Sequence, residues 1–473
     1  MPTTTLTRRD LVRLSLAAGA ASTLGLSTAS GEETPKPSPV RAPSASPSGY
    51  LDAAVKAAQW IHTTRIEAAR GLIWLDGPER PEGLQSTLDL YTGASGIVLF
   101  LLELARLTGE KTYKEDAGYG ADSLIASLPE KLVPDNGETG LYQGAAGLGF
   151  TLHQAFQSTG EEKYRQGAIR CRDLIHAAAQ PVGRGVAWGQ STDIIAGASG
   201  TGLYLLDYAR TMNDPASRDL AAKAGLRLIE LGIPEAGGLK WREDPVFPRL
   251  MPNFSHGTAG VAYFLATLHQ ETGRQEFLDA ALAGARYLQS IATTEGDSCL
   301  IFHDEPDNKK LYYLGWCHGP VGTSRLWLRL HQIDPKGGWL AWARKGANGI
   351  LESGIPEKQT PGFWNNFGQC CGAAGVADFF LDLGKLTGDA TYLEFNRKVV
   401  RHLLDHATST PGGGLKWPHA EHRIKPEYVY AQTGYMQGAA GIGMVFLRRE
   451  AEARGKRWGL RLPDSPFGSA RIA

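Results

Sequence analysis

The sequence predicts an all-α fold, an (α/α)7 toroid of seven inner and seven outer helices with short extended segments in the loops. Three observations predict it. A small-residue tetrad with glycine at each end recurs seven times, starting at Gly93, Gly144, Gly197, Gly257, Gly319, Gly372 and Gly438, at spacings of 51, 53, 60, 62, 53 and 66 residues. Each tetrad opens an apolar helical run, such as Ile97 to Leu107, and a nearly all-apolar helix belongs inside a protein. A more amphipathic helix then follows, as from Lys111 to Leu128, so the unit is a helical hairpin with a return loop.

Such hairpins cannot bury their apolar faces alone and must stack. One extra helix, over about Gly49 to Arg70, precedes the first tetrad, and the last tetrad opens the final helix. The count then closes at seven of each kind, as a ring requires; an open solenoid would use the same pattern. Glycine and alanine at the start of each inner helix let seven ends crowd around one axis.

In chain order, residues 1–30 stand apart from the fold. Arg8 and Arg9 precede a mild apolar stretch from Leu14 to Leu26, and Ser27, Thr28 and Ala29 offer small residues where a signal peptidase could cut. The segment resembles a twin-arginine export signal, so a periplasmic, cell-wall-associated or secreted location is expected. Residues 31–49, rich in Pro and Ser, read as a linker. Residues 50–455 form the toroid and 456–473 a C-terminal tail. Past the leader no apolar run is long enough to span a bilayer. Forty-nine basic residues balance 49 acidic ones, so no net field draws the chain to nucleic acid.

Within the repeats, apolar runs stop at Thr108-Gly109, Thr159-Gly160, Thr272-Gly273 and Thr387-Gly388, where glycine is expected to cap the helix. The return loops pair a glycine with a tryptophan: Gly71 with Trp74, Gly185 with Trp188, Gly238 with Trp241, Gly362 with Trp364 and Gly414 with Trp417. These read as extended segments over the ends of the inner helices. Their tryptophans read as packing that closes a barrel end, with stacking platforms for sugars or peptides as the alternative.

The repeat fixes a register in which side chains can be compared. One place before the first glycine stand Thr92, Gln143, Ala196, His256, His318, Cys371 and Gln437. Two places before stand Tyr91, Tyr142, Ile195, Ser255, Cys317, Cys370 and Met436. The reactive types concentrate in the fourth, fifth and sixth repeats, at positions that a toroid turns toward one shared mouth. Met436 and Tyr142 read as wall residues. Cys317, Cys370 and Cys371 would thereby converge, and three thiolates suit one zinc ion per chain with its fourth position open. Helix N-termini would favour the thiolate forms. His318 could replace one thiol as a ligand. The alternatives are buried cysteines without metal, or a redox-active pair at Cys370 and Cys371. Cys171 and Cys299 read as lone buried thiols, with a bridge between them as the other possibility.

The tetrads together with Ser255-His-Gly-Thr-Ala-Gly260, Gly315-Trp-Cys-His-Gly-Pro-Val-Gly322 and Gln369-Cys-Cys-Gly-Ala-Ala-Gly375 resemble the lanthionine synthetase C-like family, over about Gly49 to Arg454. The resemblance implies a toroid, a single zinc and addition of a thiol to a dehydroamino acid. It places the family's first cysteine ligand at Cys317. The family's usual Cys-His pair falls on Cys370 and Cys371, so a third cysteine replaces the histidine, a variant known in the family. It places the catalytic histidine at His256 and the catalytic aspartate at Asp193. The family's arginine before the first ligand is absent; Tyr313 stands there, and Tyr313 and His318 are candidates for the layer around the metal. Asp193 has a counterpart in Asp89, also four places before its tetrad, so a capping role competes with the catalytic one.

The leading expectation is therefore an exported zinc enzyme that joins a peptide cysteine or small thiol to dehydroalanine or dehydrobutyrine. Two other classes use the same features. An extracellular glycosidase or lyase would need two carboxylates across the mouth, for which Asp89 and Asp193 are the equivalently placed candidates. A non-catalytic zinc scaffold that binds peptides would hold metal without turnover.

Overall fold

A computed structural model describes residues 49–467 apart from 69, 135–136, 245 and 248. The expected export signal and nearly all of the linker lie outside the described residues, as do the last six residues of the tail.

Fourteen helices form among the described residues. The inner set is α2 (Ala94–Thr108), α4 (Ala145–Thr159), α6 (Ala198–Met212), α8 (Thr258–Thr272), α10 (Pro320–Ile333), α12 (Ala373–Thr387) and α14 (Ala439–Ala453). The outer set is α1 (Tyr50–His62), α3 (Lys111–Ala126), α5 (Glu162–Ala178), α7 (Pro215–Leu231), α9 (Gln275–Ile291), α11 (Trp339–Glu352) and α13 (Ala390–Asp405). Each inner helix packs on the outer helix that follows it, and α14 packs on α1, so the first helix of the fold is the outer partner of the last. Because α14 also packs against α2, the ring is closed. The inner helices are buried around nearly their whole circumference; α8 buries every residue from Thr258 to Leu268.

α1 is shorter than the sequence suggests. It ends at His62, and Arg65–Ala68 becomes strand β1, paired with β2 (Gly71–Trp74). Thr63 and Thr64 turn their hydroxyls back onto the carbonyls of Trp60 and Ile61, and these two β-branched residues close the helix.

The tetrads owe their composition to a fold-back. A Cβ on the closing glycine of each tetrad would sit between 1.8 and 2.9 Å from the carbonyl oxygen six residues earlier, in the loop that leads into the helix. At Gly322 a second constraint applies, since the same Cβ would lie 2.6 Å from Phe254 of the neighbouring repeat. The far ends of four inner helices close as the sequence predicts: Gly109, Gly160, Gly273 and Gly388 take φ of 70–77° and cap their helices.

These lead-in loops are laced together around the axis. Backbone amides donate to the next repeat from Tyr91 to Tyr142, Tyr142 to Ile195, Ile194 to Ser255, Ser255 to Cys317, Cys317 to Cys370, Cys370 to Met436 and Met436 back to Tyr91, at 2.8–3.1 Å. The circle passes through the tetrad-minus-two position of all seven repeats. It locks neighbouring repeats in register at the mouth where the cysteines lie.

The return loops form two-stranded antiparallel hairpins, including β3–β4 (Gln180–Val182, Gly185–Ala187) and β5–β6 (Ile233–Glu235, Gly238–Lys240). These strands pack on the next outer helix: Gly185 approaches Lys223 of α7 and Gly238 approaches Ala283 of α9, each too closely for a side chain. The tryptophans are buried, and Trp188, Trp241 and Trp417 donate Nε1–H to the carbonyls of Ile175, Leu228 and Leu403 on the preceding outer helices. The extended segments therefore rivet outer helices together rather than lying only over inner-helix ends.

Beyond α14 the chain turns back into the axial bore. Arg461 pairs with Asp382 of α12 through two hydrogen bonds at 3.0 and 3.1 Å, and Asp464 pairs with Arg325 of α10 at 3.0 Å. The tail is thus packed structure up to Phe467.

Candidate metal centre and acid–base pair

The hydrogen-bonded circle brings the cysteines of two repeats together. Sγ of Cys317 lies 3.0 Å from Sγ of Cys371, which lies 3.4 Å from Sγ of Cys370. All three sulfurs fall within 4.8 Å of one another. Such gaps are far longer than a disulfide at about 2.05 Å. They approach the spacing of about 3.8 Å between sulfurs that share a tetrahedral zinc at about 2.3 Å, so the donor set fits a soft ion. The three side chains are buried. Burial pushes the Cys317 thiol well above its ordinary range, and the two neighbouring sulfurs push it further. The expected lowering by helix N-termini is not what the geometry gives Cys317, because the side chain sits upstream of the first helical turn in a dry loop.

On the same mouth, Nδ1–H of His256 donates to Oδ2 of Asp193 at 2.6 Å. Oε1 of Glu243 lies 3.5 Å from the same nitrogen. Asp193 divides its oxygens: Oδ1 accepts from the amide of Ala196 at 2.9 Å, so the residue caps its own loop and holds the histidine as well. Asp89, its counterpart, spends its carboxylate locally on Thr92 and Gly93, and burial raises its pKa. His256 stacks on His318 with ring centroids 5.6 Å apart, which places the imidazole beside the Cys317 loop.

Tyr313 is half-buried, and burial, followed by the charges of Cys371 and Cys317, raises its pKa. Its ring lies 5.7 Å from that of His318 and 5.2 Å from that of Trp364. A second histidine–carboxylate pair joins this group. The His303 ring sits 4.2 Å from His318 and 4.3 Å from Tyr313, and Nδ1 of His303 meets Oδ2 of the fully buried Asp304 at 2.5 Å. Burial lowers the His303 pKa more than Asp304 raises it. Burial opposes ionisation of Asp304, but the hydrogen bonds from His303 and Asn308 outweigh it and hold the carboxyl below its usual range. Sequence reasoning missed Glu243, His303 and Asp304. They lie in return loops outside the tetrad register, and only the hairpin geometry brings them to the mouth. Cys171 and Cys299 are both free and buried, so no bridge joins them.

The family model described as lanthionine synthetase C-like protein matches residues 85–458. The chain belongs to the lanthionine synthetase C-like family. Among curated relatives it is similar to the nisin biosynthesis protein NisC of Lactococcus lactis subsp. lactis, with 26% identity over 269 residues, covering 51% of this chain and 62% of that protein. The aligned part thus spans about six-tenths of that relative's length. Among solved structures, a nisin cyclase superposes with a TM-score of 0.59 at 19% identity, covering 88% of this chain and 97% of the other, and shows the same helical toroid. A GH76 α-mannanase of Bacteroides thetaiotaomicron superposes with a TM-score of 0.47 at 11% identity, covering 86% and 96% of the two chains. Among the described residues no helix is long and apolar enough to cross a membrane.

Proposed function

We propose that this member of the lanthionine synthetase C-like family is an exported zinc-dependent enzyme that adds a thiol to the β-carbon of a dehydroalanine or dehydrobutyrine to form a thioether. The observation that carries the reading is the meeting of a three-sulfur cluster, Cys317, Cys370 and Cys371, with the His256–Asp193 pair on one mouth of the ring. The similarity to a nisin biosynthesis protein and a nisin cyclase supports a peptide substrate, and a small thiol is an equal candidate for the sulfur donor.

Cys317, Cys370 and Cys371 would hold the ion. A zinc in that site would lower the pKa of an incoming thiol and keep it as a thiolate at neutral pH. The remaining work falls to the chain. As the S–H bond breaks and the C–S bond forms, electron density moves to the α-carbon and its carbonyl. A proton must then be delivered to that carbon, leaving no net change in protons. In this reading Nε2 of His256, whose Nδ1–H is committed to Asp193, takes up the proton lost by the thiol and then gives it to the α-carbon, with the Asp193 carboxylate supporting the imidazolium in between. Asp193 is 1% exposed and fixes both the tautomer and the direction of the ring. The loop that carries His256 is hydrogen-bonded to the loop that carries Cys317, so donor and sulfur cluster keep their relative positions.

The test is direct. The mature chain is incubated with a dehydroalanine-containing peptide and glutathione, and products are weighed by mass spectrometry. The reading predicts a thioether adduct whose formation needs Cys317, Cys371 and His256. Metal-loaded protein that forms no adduct with a cysteine peptide or with glutathione would favour the non-catalytic scaffold. Against the glycosidase alternative, the Asp89 carboxylate accepts from the amides of Thr92 and Gly93 in its own loop. Export rests on the Arg8-Arg9 leader, and fractionation of cells that express the full chain would test it.

A further inference from the structure

The family match ends at residue 458, yet the chain that follows packs back into the fold, with Leu460, Asp464 and Pro466 buried. Residues 459–467 enter the axial bore from the side opposite the cysteine cluster, between inner helices α10, α12 and α14. Asp464 reaches furthest and is fully buried. Its Oδ2 accepts from the hydroxyl of Tyr142 at 3.0 Å and from Nε1–H of Trp316 at 3.3 Å, and it pairs with Nη1 of Arg325 at 3.0 Å. Arg325 also donates to the backbone carbonyl of Asp464 at 2.7 Å.

Two of those partners belong to the mouth. Tyr142 and Trp316 occupy lead-in loops of the second and fifth repeats, and Trp316 is covalently next to Cys317. The Trp316 indole is wedged edge-on against Tyr142 and Phe254, at 5.0 and 5.6 Å, forming a layer directly beneath the hydrogen-bonded circle. Indole and phenol each bring one polar atom into this dry layer, and one carboxylate satisfies both. Arg325 offsets the charge that the carboxylate would otherwise bury alone. A second ion pair of opposite polarity, Arg461 with Asp382, fixes how far the segment inserts.

We infer that Asp464 is a positioning residue for the cysteine cluster: through Trp316 it fixes the Cys317 loop from below. The metal-affinity arm of the test rests on the proposed function, whereas the alkylation arm does not.

The experiment compares the full mature chain with Asp464→Asn, Trp316→Phe and the double variant. In metal-free protein, Cys317 alkylation by iodoacetamide is followed by peptide mass spectrometry. Both single variants should alkylate Cys317 several-fold faster than the parent, and Asp464→Asn should add nothing once Trp316 is Phe. Zinc affinity by chelator competition should fall on the order of tenfold in each single variant, as for other residues that orient a metal ligand. Trp316→Phe leaves the Asp464–Arg325 pair intact, so it decides the matter if Asp464→Asn fails to fold. Unchanged Cys317 reactivity in Trp316→Phe, or a full Asp464→Asn effect in the Trp316→Phe background, overturns the inference. A parent chain that binds no zinc would contradict the proposed function and leave the alkylation comparison to judge this inference.

Discussion

The backbone amide of Cys317 donates to the carbonyl of Cys370 at 3.1 Å. Two residues 53 apart in sequence are thereby adjacent links in the circle of hydrogen bonds around the axis. Their side chains reach one place because their backbones are fastened to each other. The sulfur cluster is therefore a property of ring closure, and damage to the circle should reach the cluster.

Gly322→Ala is expected to show this. Its Cβ would lie 1.9 Å from the Trp316 carbonyl, and no flexible group can yield. A loss of about 3 kcal/mol or more is expected, together with exposure of Cys317 to alkylation. Gly388→Ala is the control: φ is 70° there but the space is open, so strain alone should cost about 1–2 kcal/mol and leave the cysteines unaffected. Urea titration with thiol labelling measures both.

His256→Asn should lower turnover roughly 10²–10⁴-fold while metal content stays unchanged. Asp193→Asn separates the two tasks of that residue. The amide oxygen can still accept from Ala196, so stability should hold, whereas the anionic partner of His256 is lost and turnover should fall. Asp193→Ala should lose the same turnover and, in addition, about 1 kcal/mol of stability for the missing loop hydrogen bond. Steady-state rates beside thermal melts distinguish these outcomes.

Stability should also depend on pH through His419. This residue is fully buried, and burial lowers its pKa from 6.5 to about 4. Between those values the unfolded chain binds a proton that the folded chain refuses, so stability rises with pH across the window and is lost as pH falls from about 6.5 towards 4. The loss should approach about 3 kcal/mol. His402, lowered by burial to about 4, acts in the same direction. Melts recorded from pH 7 to pH 4 should slope downward, and His419→Gln should flatten the slope. A slope unchanged by that variant would place the acid sensitivity elsewhere.

The ring was legible because its cause is local and repeated. Each tetrad glycine is required by the same fold-back, so the requirement recurs at a spacing that can be counted. The convergence of Cys317, Cys370 and Cys371 followed from that register, as did the place of His256 on the loop bonded to that of Cys317. By spacing alone Asp193 was one of two equivalent aspartates, and the family resemblance singled it out; the spacing does not show that it spends its second oxygen on a histidine. Glu243, His303 and Asp304 were not legible at all, because return loops of varied length carry no shared register. The tail was equally opaque: Asp464 finds Tyr142 and Trp316 across more than a hundred residues of sequence, and no short-range pattern encodes that contact.

Zinc content per chain, measured on protein purified without chelator, tests the central claim most directly. The account predicts about one zinc in the parent chain and almost none in Cys317→Ser or Cys370→Ser, with the helical fold retained. A folded parent without metal, or one whose zinc survives both substitutions, would contradict it.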